Sequence, residues 1–344
     1  MTVAAVMILL IGLLPVLCFL GALVALDSYK LVGLLTVVAL IACGAAAAVG
    51  SYFANEAVLG LIDIDLQHFA RYGSPVIEEA LKGSIVVVLI RTRRIGFLID
   101  AAILGFAVGA GFALVENGYI FLLHLIPYTG VATWIVRGFG TAIMHGGTTA
   151  IFAVLGLTLI ERRPGALLRP LAPGFAIAVL LHSAFNHAIL APLRMTIAIL
   201  LFLPPLFYAV FNYCGRGVRD WLGRGFDADT EMLDLINSGR LSDSPVGAYL
   251  KTLKERFGGP IVADILCYLR LYTELGLRAK GILMMRENGF DVPADEPTRA
   301  KFAEMEYLEG TIGRTGLLAI APMLRISQAE LQKIYMLGRV GHSQ

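Results

Sequence analysis

Residues 75–90 read "PVIEEALKGSIVVVLI". The second half of this run is apolar enough to cross a membrane, yet its first turns hold Glu78, Glu79 and Lys82. A charged side chain near the middle of a membrane helix costs roughly 2.5–3.5 kcal/mol on insertion scales and normally faces the bundle interior rather than lipid. If this stretch spans a bilayer, its three ionisable residues face a shared polar interior.

The surrounding sequence makes the bilayer the expected solvent. Of 344 residues, 57% are hydrophobic and 16% charged, and the mean hydropathy is +0.75, far outside the soluble globular range. A helix needs about 20 apolar residues to cross a hydrocarbon core. Such stretches fall near 3–26, 31–54, 75–91, 97–123, 132–160, 172–190 and 193–213. The sequence therefore predicts an all-α fold, a polytopic bundle of about seven transmembrane helices. Its direct surroundings are a lipid bilayer, and no nucleic-acid partner is expected.

Charge asymmetry orients the spans. In a seven-span arrangement Lys30, Arg91, Arg93, Arg94, Arg162, Arg163, Arg169, Arg216, Arg219 and Arg224 all fall on one side, while the opposite loops carry Arg71 and Arg194. The basic side is expected to be cytoplasmic, with the N-terminus outside and the C-terminus inside. The first span lacks a basic leader and exceeds the usual length of a signal-peptide core, so it reads as a retained helix. Cys18, Cys43, Cys214 and Cys267 show no CxxC spacing; they are expected to be small buried apolar residues.

The texture changes after residue 215. Residues 216–344 hold 17 Lys or Arg and 17 Asp or Glu, against 11 and 9 in the first 215. The expected organisation is a membrane domain over 1–215 and a soluble helical domain over 216–344, the latter cytosolic and suited to regulation or assembly. Helices are expected in "SPVGAYLKTLKERF", in the stretch beginning "PIVADILCYLRLYTELG", and after a capping box at Ser327 and Glu330. The short segment "GLLAIAPMLRI" reads as buried or interfacial.

Chemistry is therefore sought among the intramembrane polar residues. Lys82 follows Glu78 by one turn on the same helical face. Glu116, with Asn117 beside it, lies one turn after Phe112; His145 precedes Thr149 by one turn; His182 precedes Asn186 by one turn. At about 1.5 Å of rise per residue, Glu78, Glu79, Glu116, His145 and His182 reach a comparable depth toward the outer side. Paired carboxylates in a low-dielectric site provide a general base near neutral pH, with Lys82 balancing the second charge. Histidine and asparagine donors stabilise an oxyanion. Water, base and oxyanion site are the parts that peptide hydrolysis needs.

The series Glu-Glu-x-x-Lys (78–82), Phe-x-x-x-Glu-Asn (112–117), a histidine on the next helix (145) and His-x-x-x-Asn (182–186) resembles the PrsW-type intramembrane proteases. These are distant relatives of the CAAX-processing and bacteriocin-processing endopeptidases, and the resemblance covers roughly residues 50–190. It implies that Glu78 or Glu79 with Glu116 activates water, that His182 with Asn186 holds the oxyanion, and that His145 completes the pocket. Lys82, Phe112, Asn117 and Thr149 are the supporting set. The implied substrates are membrane-anchored proteins, anti-sigma factors among them, in a bacterial plasma membrane. The helical C-terminal region departs from the pattern. It leaves regulation open, homo-oligomerisation included.

Two mechanisms fit the residues. One uses a glutamate-activated water without a cofactor; the other holds zinc at Glu79, Glu116, His145 and His182, since imidazole and carboxylate are ordinary zinc ligands. No HExxH is present. Plainer readings stand beside these. Glu78 and Lys82 snorkel to the interface; His124 and His187 are hydrogen-bonded core residues; Gly105, Gly109, Gly111, Gly146 and Gly147 serve close helix packing. Arg71 and Arg137 anchor at the interface, and 55–72 is a surface helix or a connecting loop. Two other classes compete with the protease. One is a proton-coupled transporter, whose acids would ladder across the bilayer; the other is a membrane receptor with a cytosolic signalling domain.

Overall fold

In a computed structural model, the structure describes residues 3–27, 29, 31–120, 131–162, 168–187, isolated positions between 197 and 222, 226–290, 292, 295–324 and 334. Every regular element among them is helical, and the chain forms a membrane helix bundle. It divides into two compact units, the first comprising Met1–Asp27 and Val32–Cys214, the second Ser28–Leu31 and Gly215–Gln344.

The first unit contains α1 (Val3–Ala25), α2 (Leu34–Leu59), a single turn α3 (Leu66–His68) that continues as a π-helical turn (Phe69–Gly73), then α4 (Ser74–Arg91), α5 (Leu98–Ile120), α6 (Val131–Arg162) and α7 (Leu168–Asn186). Its axis is α5, a helix apolar on all sides, which is the pattern of a fully enclosed helix. Every residue from Ile99 to Ala113 is buried, and the helix packs on α6, α2 and α1. Glycines permit that enclosure. A Cβ at Gly44 would lie 2.0 Å from the Val108 carbonyl oxygen, one at Gly111 2.0 Å from that of Ile41, and one at Gly109 2.1 Å from that of His145. Backbones of α2, α5 and α6 thus touch directly, as small residues allow in membrane bundles. The start of α5 is closed by its own third residue. Asp100 accepts the amides of Gly96 (2.8 Å), Phe97 (2.7 Å) and Ala101 (3.1 Å), satisfying groups a helix start leaves open.

Among the described residues, three stretches are long and apolar enough to cross a membrane, Leu34–Leu59, Leu98–Ile120 and Ile143–Ile160, with Val16–Ala25 a shorter apolar helix. The expectation of seven rested on hydropathy alone. Within α4, Glu78, Glu79, Lys82 and Arg91 depress the average, and the seventh expected span, 193–213, is described only at scattered positions.

Several local expectations change. Residues 55–59 belong to α2, because "NEAVL" contains no helix breaker before the Gly60 cap. Residues 60–73 form neither one surface helix nor a plain loop. Asp65 caps α3 by accepting the amides of Gln67 and His68, and the chain runs through the π-helical turn straight into α4. Cys18, Cys43 and Cys267 are exposed, not buried, and Cys214 lies outside the described residues. For Cys18 and Cys43 the physical reason is the solvent: lipid accepts a thiol on the outer face of a helix as readily as a core does.

In the second unit, α8 (Phe226–Asn237), α9 (Pro245–Lys254), α10 (Gly259–Glu287) and α11 (Glu296–Leu324) follow one another, with a 3-10 turn at Arg240–Asp243. Both α8 and α11 pack on α10, around Ile265, Tyr268, Leu269, Leu275, Leu283, Met305 and Ile320. Tyr29 is part of this unit, its hydroxyl donating to Glu287 Oε1 at 3.2 Å. Most of "GLLAIAPMLRI" forms the end of α11, with Ile320 buried and Leu318 exposed. Ser327 and Glu330 lie outside the described residues.

Candidate active site

Four helices bring their polar residues to one place. Glu78, Glu79 and Lys82 come from the first turns of α4, Glu116 from the last turns of α5, His145 from the middle of α6 and His182 from the end of α7. Lys82 and His145 have no solvent-exposed surface, and Glu79 and His182 retain only 2%. The snorkelling reading of Lys82 is therefore excluded.

The two glutamates are differently engaged. Glu79 Oε1 accepts from Lys82 Nζ (2.6 Å), His182 Nδ1 (2.8 Å) and Thr148 Oγ1 (3.2 Å). One oxygen holding three donors has no lone pair left for water. Glu78 accepts from Ser74 Oγ through Oε1, and its Oε2 lies 3.7 Å from His182 Nε2. Ser74 in turn accepts from Asn55 Nδ2 at 2.9 Å, linking α2 to the glutamate.

The imidazoles stand perpendicular, 4.8 Å apart between ring centres. His145 Nε2 is 2.6 Å from Glu116 Oε2 and its Nδ1 is 2.9 Å from Lys82 Nζ. Phe112 closes one side, its ring 4.8 Å from that of His145 and 4.9 Å from Lys82 Nζ, near enough for cation–π attraction. Glu116 keeps 31% of its side chain exposed and marks the open end.

Other expected members lie elsewhere or act differently. Asn186 is exposed and donates to the Ala70 carbonyl at 2.9 Å, and Ser183 Oγ donates to that of Arg71 at 2.7 Å. Those carbonyls belong to the π-helical turn, so α7 clamps the segment leading into α4. Thr149 gives its hydroxyl to the His145 carbonyl (2.9 Å), while its neighbour Thr148 reaches Glu79. Asn117 is buried and its amide makes no hydrogen bond. His187 is half-buried, its Nδ1 on the Ser183 carbonyl at 2.6 Å and its ring 4.6 Å from that of Tyr72. His124 lies outside the described residues. Thr148, Ser74, Asn55 and Ser183 were not anticipated. For the first two a signal existed, because they sit three residues after His145 and four before Glu78.

The donors suit a metal in kind, with a spacing wider than bound ligands take. One atom each from Glu78, His145 and His182 lies within 4.8 Å of the others, whereas zinc bonds of 2.0–2.1 Å place tetrahedral ligands about 3.3 Å apart. A modest contraction closes that gap. Glu79, expected as a ligand, is instead bound to His182 Nδ1. This is the usual carboxylate support behind a metal-binding histidine.

A family model described as "PrsW family intramembrane metalloprotease" matches residues 33–212, which include all of these positions. No curated protein and no solved structure matches the chain. The match spans more than half of the sequence and every helix that contributes to the site, and the chain accordingly belongs to the PrsW family of intramembrane metalloproteases.

Proposed function

We propose that this peptidase cleaves single-span, membrane-anchored proteins, using Glu78 as general base. The observation that carries this reading is Glu78 Oε2 facing the Nε2 of His182 at 3.7 Å, beyond hydrogen-bond distance and close enough for one water beside the pair to touch both groups. Water adds to the scissile carbonyl carbon, forming a C–O bond as its proton passes to Glu78. The proton then goes to the departing nitrogen as the C–N bond breaks, leaving a carboxyl and an amine terminus. Zinc held at the site with His182 as a ligand would polarise the water and the carbonyl. Glu116, at the open end, would meet the peptide, with the buried His145 behind it at 2.6 Å.

The site lies at the C-terminal ends of α5 and α7 and the N-terminal end of α4, opposite the basic loops, which favours an opening toward the outer face. Membership of Ser28–Leu31 in the same unit as the C-terminal helices supports an even number of crossings between them, hence a C-terminal unit on the side of the first loop. An anti-sigma factor is one substrate of the fitting kind. An intact substrate helix hides its carbonyls, so the cleaved bond is expected at an unwound stretch.

The test is co-expression with tagged single-span proteins. Wild type yields the cut product, and Glu78→Gln and His182→Ala, purified folded, do not. Persistent cutting by folded Glu78→Gln would remove Glu78 from the mechanism.

A further inference from the structure

Histidine presents one ring nitrogen as donor and the other as acceptor when neutral, and the partner on one nitrogen sets the state of the other. An ammonium group only donates. With Lys82 Nζ 2.9 Å away, His145 Nδ1 must be the acceptor, so the ring proton sits on Nε2 and is donated to Glu116 Oε2 at 2.6 Å. A carboxylate only accepts. With Glu79 Oε1 2.8 Å away, His182 Nδ1 carries the proton, and the Nε2 lone pair faces Glu78.

We propose that the Glu79–Lys82 pair is a positioning device that locks the two active-site imidazoles in opposite tautomers, making His182 the metal ligand or proton acceptor and His145 a hydrogen-bond donor. Both settings come from a single turn of α4. Glu79 and Lys82 are three residues apart and bonded to each other at 2.6 Å, so one ion pair fixes both rings in mirror fashion. Thr148 adds a third donor to the Glu79 oxygen and holds that carboxylate against rotation. The role differs from chemistry, since Glu79 Oε1 and Lys82 Nζ spend their hydrogen bonds on each other and on the two rings. It also divides the three candidate metal donors. His182 offers a free lone pair; His145 offers one only if Lys82 leaves. This assignment rests on the proposed hydrolytic site, but it is read out without turnover.

The first measurement is on the unmodified protein in micelles with ¹⁵N-labelled histidine, using long-range ¹H–¹⁵N correlation to tell Nδ1–H from Nε2–H. The expected spectrum has one buried ring protonated at Nε2 and one at Nδ1, identified as His145 and His182 by their loss in His145→Ala and His182→Ala. Lys82→Met is expected to scramble the His145 pattern and leave that of His182 intact, and Lys82→Arg, another pure donor, to restore it. Zinc titration supplies the second reading. His182→Ala should weaken binding more than about 100-fold and His145→Ala by no more than about 10–100-fold, the range for partners outside the metal's own ligands. Finding His145 protonated at Nδ1, or finding equal losses of zinc affinity in the two alanine variants, overturns the proposal. Correct tautomers in a protein whose Glu78→Gln variant still cleaves would instead overturn the hydrolytic reading alone.

Discussion

In the first unit, Lys82, Glu79, His145 and His182 lie at the centre while Leu34, Phe53, Leu61 and Leu180 are exposed. The second unit reverses this. Tyr268, Leu269 and Leu275 are enclosed, and the pairs Arg240–Asp234, Arg278–Asp295 and Arg299–Glu296 stand at the surface. We infer that the inversion reflects the solvent each unit meets. Lipid gives an exposed leucine no penalty and a buried ion pair no competitor, so charges gather where they satisfy each other. Water does the opposite, and surface pairs there stabilise by at most about 1 kcal/mol. The same ionic chemistry is thus a site in one unit and decoration in the other.

The largest effect is expected at the helix contacts of the first unit. Gly109→Leu would drive a side chain into the His145 carbonyl, which lies 2.1 Å from the position of a Cβ. We expect a loss of more than about 4 kcal/mol, the range of severe core disruption. It would appear as aggregation of the full chain in size-exclusion chromatography. Glu78→Gln separates chemistry from packing. Cleavage should fall by about a thousandfold, within the range for removal of a general base, with an unchanged melting curve. Lys280→Met sharpens the exception in the second unit, where a buried lysine meets Asp229 at 2.8 Å. Because Asp229 keeps 32% of its side chain exposed, the expected cost is about 1–3 kcal/mol, below that of breaking a fully buried pair, measured by denaturant unfolding of the whole chain. Arg240→Ala, at an exposed pair, should change stability by less than about 0.5 kcal/mol; a larger loss would mean that surface pairing does hold this unit together.

The membrane class and the helices of the site were readable because lipid imposes a crude rule, length of apolar run, and because polar residues that violate it announce themselves. Glu78, Glu79, Glu116, His145 and His182 all stood out on that ground. Which atom meets which was not readable. The sequence offers Thr148 and Thr149 equally, and only the packing of α6 on α4 brings Thr148 to Glu79. Spacing put Asn186 one turn from His182, but position on a face says nothing about a backbone carbonyl arriving from another segment, as Ala70 does. The exposed cysteines show the same limit, since hydropathy does not distinguish the lipid face from the protein face. In the second unit, the helix expected in "SPVGAYLKTLKERF" forms over Pro245–Lys254, where Ser244 caps it by accepting the Gly247 amide at 3.1 Å and Pro245 takes the first turn.

The π-helical turn at Phe69–Gly73 also sets a phase. A π-turn accommodates one residue more than the α-helical path it replaces, and one residue of α-helix corresponds to about 100° of rotation. The turn therefore acts as the indexing tooth between the segment before it and α4. Removing a single residue there would leave composition and hydropathy almost untouched. It would turn Glu78, Glu79 and Lys82 together by roughly a quarter of a revolution relative to the Ser183 and Asn186 clamps, so reading-frame length in this five-residue stretch governs the site as strictly as the identity of its glutamates.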